Sequence, residues 1–450
     1  MSTSFALITV ATTMVLGGCG RSSQTPTGGQ TSSSTAPASA AAPTTGVGDF
    51  GTLKGICGPG TAKGATGRGV TNSTIRIGTT ADPGAAAVPG LEQEFFDVAD
   101  GFSKWCNAAG GINGRKIVLD KLDAKLFNVG AITVDACQKD FMLVGGGNAF
   151  DSASVKPREA CKLGSMPAYA VSPEAVNSTL QVLAYPAIAT QYPIGGVRLL
   201  TDAFPKTKAG VAIGGSNVSS LIPTGKKIQE GLTQLGVKVT TIQSKPPLVA
   251  NLRPYMEELK NDGSLGLYEY SGVDATPEVQ AMKNVGYSPD FLLLTSNFFG
   301  PETVAASKTV SFPPTYAALQ HLPFELSSQF PVMAQAESIM KTAVAKPQLA
   351  DFTAIAFDAW TLWAKSATAC GSTLTLDCVL GKAGAETAWT GGGMFPPVVT
   401  SPDHPKTSSC LLEMRLTTSG WVYDKKVTDP DNGVYNCDSK NLATVKTYQQ

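Results

Sequence analysis

Apolar residues recur at Leu91, Phe95, Val98, Phe102 and Trp105, the period of a helix with one buried stripe. Gly110 and Gly111 then predict its end, because glycine accepts the left-handed backbone that closes a helix. Asn113 and Gly114 predict a further turn, and Ile117, Val118 and Leu119 a buried strand. Upstream, residues 73–79 read as another strand. Two parallel strands need such a crossover, and it is right-handed almost always. The order predicts the first unit of a parallel α/β sheet.

The pattern continues down the chain. A helix is predicted over 128–140, a strand over 141–144 ending in Gly145, Gly146 and Gly147, a helix carrying Cys161, and a strand over 167–171. Near 185–191 the chain is expected to cross to a second lobe. That lobe begins with a helix to Phe204, a strand over 210–213, a helix over 224–235 and a strand over 237–241. Later strands are predicted over 265–270 and 291–294, with a return to the first lobe near Ser311. Ala354, Phe357, Trp360, Leu362, Trp363 and Ala367 predict a strongly apolar helix. Its two Trp suit core packing better than an aromatic ligand box. Residues 411–416 and 421–423 read as a hairpin turned by Ser419 and Gly420.

Residues 75–78, the 107–116 turn and Asp123 together resemble the type I periplasmic solute-binding proteins of the leucine/isoleucine/valine-binding kind. The similarity extends over about 70–436. It implies an α/β, two-lobed type I periplasmic-binding fold, each lobe a doubly wound, mainly parallel sheet, with a hinge between. The turn itself marks the fold and is expected to touch no ligand. In the family a terminal hairpin usually joins the second lobe. The expected organisation is 1–18 signal peptide, 19–51 tether, 52–187 and 311–400 first lobe, 188–310 and 401–437 second lobe, and 438–450 tail.

The N-terminus changes the picture. Residues 5–16 are apolar but too short to span a bilayer. Leu16, Gly17, Gly18 and Cys19 resemble a bacterial lipobox, in which Cys19 is lipidated; an ordinary secretory signal is the alternative. Met1 to Gly18 carries no Lys or Arg, a departure that allows a translation start upstream. From Gly20 to about Gly51 the chain is Ser, Thr, Pro, Gly and Ala, too poor in large apolar side chains to offset its ordering entropy. That stretch is expected to be a flexible tether on the outer face of the cytoplasmic membrane.

Nine Cys leave eight once Cys19 is lipidated, an even number suited to an oxidising compartment. In a sheet of order 2-1-3-4-5 the first crossover helix lies on one face and the next two on the other. Cys106 ends the first helix, while Cys137 and Cys161 lie in the second and third. The expected pairs are therefore Cys137–Cys161 and Cys57–Cys106, with Cys370–Cys378 and Cys410–Cys437 closing local loops.

Composition narrows the chemistry. The formal net charge is +0 and only 16% of residues are charged, so no basic surface invites nucleic acid. With His321 and His404 the only His, and no HExxH or paired CxxC, a metal site is not expected. No GxSxG, Walker A or strand-following GxGxxG is present, so no enzyme and no cofactor are expected. The expected function is capture of a small-molecule solute by a monomer for an ABC permease and ATPase complex. A ligand-binding sensor that presents its solute to a separate receptor is the alternative, and an enzyme on the same fold a more distant one.

In open α/β sheets ligands bind beyond the carboxyl ends of strands. By resemblance, the first-lobe candidates are Asp82, Asn148, Ala149, Phe150, Ala168, Tyr169 and Ala170. The second lobe offers Asn217, Ser219, Tyr270, Ser271, Asn297 and Phe298. Plainer roles stand beside these: Tyr169 and Phe298 as core aromatics, and Asp151 as a helix cap. The family's amino-acid binders hold the α-carboxylate with a first-lobe Ser or Thr and backbone groups, and the ammonium with a second-lobe acid. Here Asn148, Ala149 and Phe150 stand at the first place and residues 295–298 at the second. Glu269 and Asp274 are the flanking acids, and Glu269 faces away from Tyr270 on its strand. An uncharged or weakly polar solute, aromatic or amide, fits these loops better than leucine.

Overall fold

The computed structural model describes residues 46–246, 251–272, 274–446 and 448. Cys19, the lipobox and the tether up to residue 45 lie outside the described residues. Residues Thr44–Gln450 form one compact unit built on two main sheets.

The first sheet contains β1 (Thr74–Ala81), β2 (Lys116–Asp123), β3 (Met142–Val144) and β4 (Gly164–Met166) in the order β2-β1-β3-β4, all parallel. Between β1 and β2 runs helix α1 (Gln93–Ala109), which buries Phe95, Phe96, Val98, Ala99, Phe102 and Cys106. Gly110 at φ +123 and Gly111 at φ +84 end it, and Gly111 N–H donates to the Cys106 carbonyl at 2.8 Å. Asn107 then pairs with Ile117 through both its amide groups, at 2.9 and 2.8 Å. Arg115, fully buried, donates to the carbonyls of Thr71, Gly371 and Gly64. The turn is therefore a brace at the N-terminal end of β2, at the opposite end of the sheet from the strand ends that face the second lobe.

The second sheet contains β6 (Val211–Gly214), β7 (Val239–Ile242), β8 (Gly266–Glu269), β9 (Phe291–Leu294), β10 (Thr315–Leu319), β11 (Leu412–Thr417) and β12 (Gly420–Tyr423), in the order β12-β11-β10-β9-β8-β6-β7. Strands β6 to β10 are parallel, and the antiparallel hairpin β11–β12 extends the edge. Both sheets thus follow the doubly wound order expected from the crossover pattern. A short antiparallel pair, β5 (Gln191–Pro193) with β13 (Leu442–Thr444), stands apart.

Several boundaries differ from expectation. The strand placed at 167–171 is β4 at Gly164–Met166, and the residues after it form a loop toward the other lobe. Strand β10 keeps the chain in the second lobe to Leu319, past the return expected near Ser311. Its buried Tyr316, Ala317 and Leu319 complete the sheet edge that the hairpin then covers. The tether expected to run to about Gly51 stops short of Phe50, which is buried and stacks on Phe357 with ring centroids 5.6 Å apart. One large aromatic ring was enough to dock the end of a low-complexity segment. Residues 438–446, expected in a C-terminal tail over 438–450, are docked: Ala443 and Val445 alternate inward onto the second-lobe core, and β13 pairs with β5.

Four disulfides join Cys57–Cys106, Cys137–Cys161, Cys370–Cys378 and Cys410–Cys437, the pairs expected from topology. Cys137 and Cys161 sit with Leu122, Ala136, Leu143 and Leu163 on one sheet face, while Cys106 belongs to the large core on the other. That large core centres on the helix Asp351–Cys370, whose Trp360 and Trp363 are fully buried and meet edge to face at 5.5 Å. Gly145, ending β3 at φ +66, leaves room for the Trp360 indole; a Cβ there would lie 2.3 Å from its ring. Gly145→Ala should therefore lower stability by about 2–4 kcal/mol, combining backbone strain with overpacking. Urea unfolding measures it, and a loss below about 0.5 kcal/mol would refute the packing argument.

Candidate functional site

The loops beyond the C-terminal strand ends of both sheets face one another. They meet at two places. Ser220 Oγ of the second lobe donates to the Ala149 carbonyl of the first at 3.2 Å. Near the crossing segments, Ser296 Oγ donates to Asp351 Oδ2 at 3.0 Å, Asp351 N–H to the Phe299 carbonyl at 3.3 Å, and Gln348 Nε2 to Glu302 Oε1 at 2.6 Å. These contacts join two walls, one from each lobe.

The first-lobe wall is organised by Asp82. This buried carboxylate accepts Leu126 N–H at 2.6 Å, Ala149 N–H at 3.3 Å and Asn148 Nδ2 at 3.4 Å. It thereby ties together the loops that follow β1, β2 and β3. Phe150 leaves the third loop and meets Phe127 of the second, ring centroids 5.3 Å apart, with Phe127 78% exposed. A cavity of about 40 Å³ opens among Thr80, Gly146, Gly147, Asn148, Tyr169 and Ala170. Tyr169 packs between Phe95 and Phe352, at 5.8 and 6.0 Å, and its hydroxyl donates to Glu92 Oε1. Ala168 is buried and holds Gly146 through its N–H at 2.8 Å.

Two acids on this wall have defined duties. Asp151 does not cap its own helix; it accepts Val171 N–H at 2.7 Å and Ser172 N–H at 3.2 Å, fixing the loop after β4. Burial raises its pKa above the usual carboxylate range. Glu92 is buried in a left-handed backbone at φ +61, and its Oε2 has no partner. Burial first, and then the charge of Asp82, push its carboxyl up to about 8. Arg158, beside the cavity, is spent on the carbonyls of Leu163, Leu180 and Thr179 and on Ser178.

On the second-lobe wall Asn217 and Ser219 are exposed, and Asn217 N–H donates to the Lys245 carbonyl at 2.7 Å. Glu269 is buried and paired with Lys245 at 2.6 Å. Lys245 also meets Glu278. Burial opposes the Lys245 charge, yet the two carboxylates outweigh it and hold the ammonium above its ordinary pKa. Burial and the neighbouring Glu269 push Glu278 up to about 8. Ser271 donates through N–H and Oγ to Glu269 Oε1 at 3.3 and 3.2 Å. Asn297 bridges Thr295 and the Gly272 carbonyl. Tyr270 and Phe298 are core aromatics here, packed under Gly215 and against Met256 and Leu294 respectively. Asp274 is exposed and accepts Thr276 N–H at 2.8 Å.

The sequence reading missed Glu92, Phe127, Lys245 and Asp351. No local signal announces them. Lys245 and Glu269 are 24 residues apart, and only the parallel pairing of β6 with both β7 and β8 brings their loops together.

No protein-family model matches this sequence, and no curated protein is similar to it. Solved structures are. A fatty acid ABC transporter substrate-binding protein from Thermomonospora curvata aligns over 84% of this chain and 95% of its own, with TM-score 0.70 and 16% identity. A leucine-binding protein from Thermotoga maritima aligns over 78% and 98%, with TM-score 0.64 and 12% identity. The fold is that of the type I periplasmic solute-binding proteins. A further solute-binding protein of this fold, from Rhodopseudomonas palustris, was solved with 3,4-dihydroxybenzoic acid. It aligns over 78% of this chain and 95% of its own, with TM-score 0.61 and 11% identity.

Proposed function

We propose that this chain is an extracytoplasmic solute-binding lipoprotein, anchored through Cys19, that captures a small organic solute between its lobes and delivers it to an ABC import permease. The observation that supports capture is the pair of facing loop walls, joined by the Ser220–Ala149, Ser296–Asp351 and Gln348–Glu302 hydrogen bonds. Lobes joined by crossing segments close over a solute by hinge motion.

The charges of the walls support an uncharged or weakly polar solute. A free amino acid brings a carboxylate and an ammonium, and leaving either buried without a partner costs several kcal/mol. Asp82 and Asp151 are already bound to backbone N–H groups, Glu269 to Lys245, and Arg158 to carbonyls. Apart from Asp274, an exposed acid on the loop after β8, the other groups named on the walls are amides, hydroxyls, the buried Glu92 and aromatic rings. Calorimetric titration with leucine, isoleucine and valine should show no binding at micromolar concentration. Micromolar affinity for any of them would end this reading, and native mass spectrometry of protein from its own host would identify the solute.

The anchor is tested separately. A single acyl chain holds a protein only marginally, whereas two or three make attachment stable. Cys19→Ser should move the protein into the soluble or secreted fraction, and retention in the membrane fraction would contradict lipidation.

A further inference from the structure

His321 sits in the segment by which the chain leaves β10 for the first lobe, and it is buried beside Phe395. Its Nδ1 lies 2.9 Å from the Leu322 carbonyl, and its Nε2 lies 2.9 Å from Asp351 Oδ1. A carbonyl oxygen accepts only, so Nδ1 carries a proton. An ionised carboxylate also accepts only, so both contacts are hydrogen bonds at once only when Nε2 carries a second proton. Asp351 in turn accepts the Ser296 hydroxyl of the second lobe on its other oxygen, at 3.0 Å. The chain of contacts runs from crossing segment to first lobe to second lobe.

We propose that His321, Asp351 and Ser296 form a proton-dependent latch between the lobes, complete only when both ring nitrogens of His321 are protonated. Loss of the Nε2 proton would set a nitrogen lone pair against the Asp351 carboxylate at hydrogen-bond distance. The carboxylate must then turn away, and Ser296 loses its acceptor. Lowering the pH completes the latch; raising it releases the second-lobe loop at Ser296–Phe298.

Two further acids feel the His321 charge: Asp358, buried further along the same helix as Asp351, and Glu325, exposed on the short turn Phe324–Leu326. Burial raises the Asp358 carboxyl to about 7, and His321 pulls it back down. Glu94 on α1, also raised to about 7 by burial, feels both Asp351 and Glu302 of the second lobe. Asp358 accepts Trp389 Nε1 at 2.7 Å, and no cation other than His321 enters the Asp358 or Glu325 balance. The latch does not depend on what solute the cleft takes.

The chain holds only two histidines, and His404 lies on an exposed loop, so the ring signals are separable. Nitrogen-15 NMR of His-labelled full-length protein reads the His321 protonation state directly. Amide hydrogen exchange of the 296–299 and 348–352 segments, corrected for intrinsic pH dependence, reads the latch. The expected result is segment exchange rising about tenfold in step with loss of the Nε2 proton. In His321→Gln that step should vanish, while the other buried acids still titrate; in Ser296→Ala exchange should be fast at every pH. An exchange step that does not track the Nε2 proton, or one unchanged in His321→Gln, would overturn the latch. Ser296→Ala alters one small side chain and keeps the test valid should His321→Gln fold poorly: protection equal to wild type in Ser296→Ala would also overturn it.

Discussion

The protein should lose about 5 kcal/mol or more of folding stability between pH 5 and pH 9, with a melting temperature falling on the order of 5–10 °C. Burial raises the carboxyl pKa of Glu94, Asp140 and Asp358 to about 7, of Glu92 and Glu278 to about 8, and of Glu413 well above its ordinary value. In the unfolded chain these groups ionise near 4. Between those values the folded state holds more protons, so its stability falls as pH rises. Their contribution is fully present below the unfolded pKa and is lost as pH passes the folded values. A tenfold difference in proton affinity between folded and unfolded chain is worth about 1.4 kcal/mol, and several buried groups acting in one direction outweigh the few exposed acids acting in the other. Glu413 is the clearest single case, buried among Gly196, Ala318 and Tyr268 with neither oxygen partnered. Glu413→Gln should remove its share of the slope and raise stability at pH 8. Thermal melts across this range decide the matter, and stability rising from pH 5 to pH 9 would contradict it.

Replacing Cys57 and Cys106 together with Ser should cost about 4 kcal/mol, because their bridge spans 49 residues and strongly restricts the unfolded chain. Replacing Cys370 and Cys378, separated by 8, should cost nearer 2.5 kcal/mol. The first pair also pins the stretch from Phe50 to Cys57 against α1, so its loss frees an ordered strap. Denaturant unfolding of the two double variants gives the ranking. A larger loss from the short loop would show that native-state strain, not chain entropy, governs these bridges.

Much of the architecture was legible along the chain. The stripe of α1, the paired glycines after it and the apolar runs at β6, β8 and β9 are local patterns, written in periods of 3.6 and 2. The strand Phe291–Leu294 lies where its run of four apolar residues placed it. Disulfide pairing was also within reach, because right-handed crossovers assign each helix to a sheet face before any contact is known.

The cleft was only partly legible. Its loops could be located, since strand ends are local, but their chemistry depended on partners far away in sequence. Tyr270 and Phe298 look like ligand aromatics on a loop and are core residues because Gly215 and the Met256 cluster receive them. Glu269 looks like an available acid until Lys245 arrives from the next loop.

By itself the sequence determined the two-lobed doubly wound scaffold, its cysteine bridges and the loops that border a cleft. These follow from periodicity and handedness, which act over a few residues or over every crossover alike. Only the tertiary structure decided which charges remain free, that Phe50 and Val445 dock, and that His321 joins Asp351 to Ser296. Burial and charge pairing are properties of space, set when segments tens to hundreds of residues apart are packed into contact.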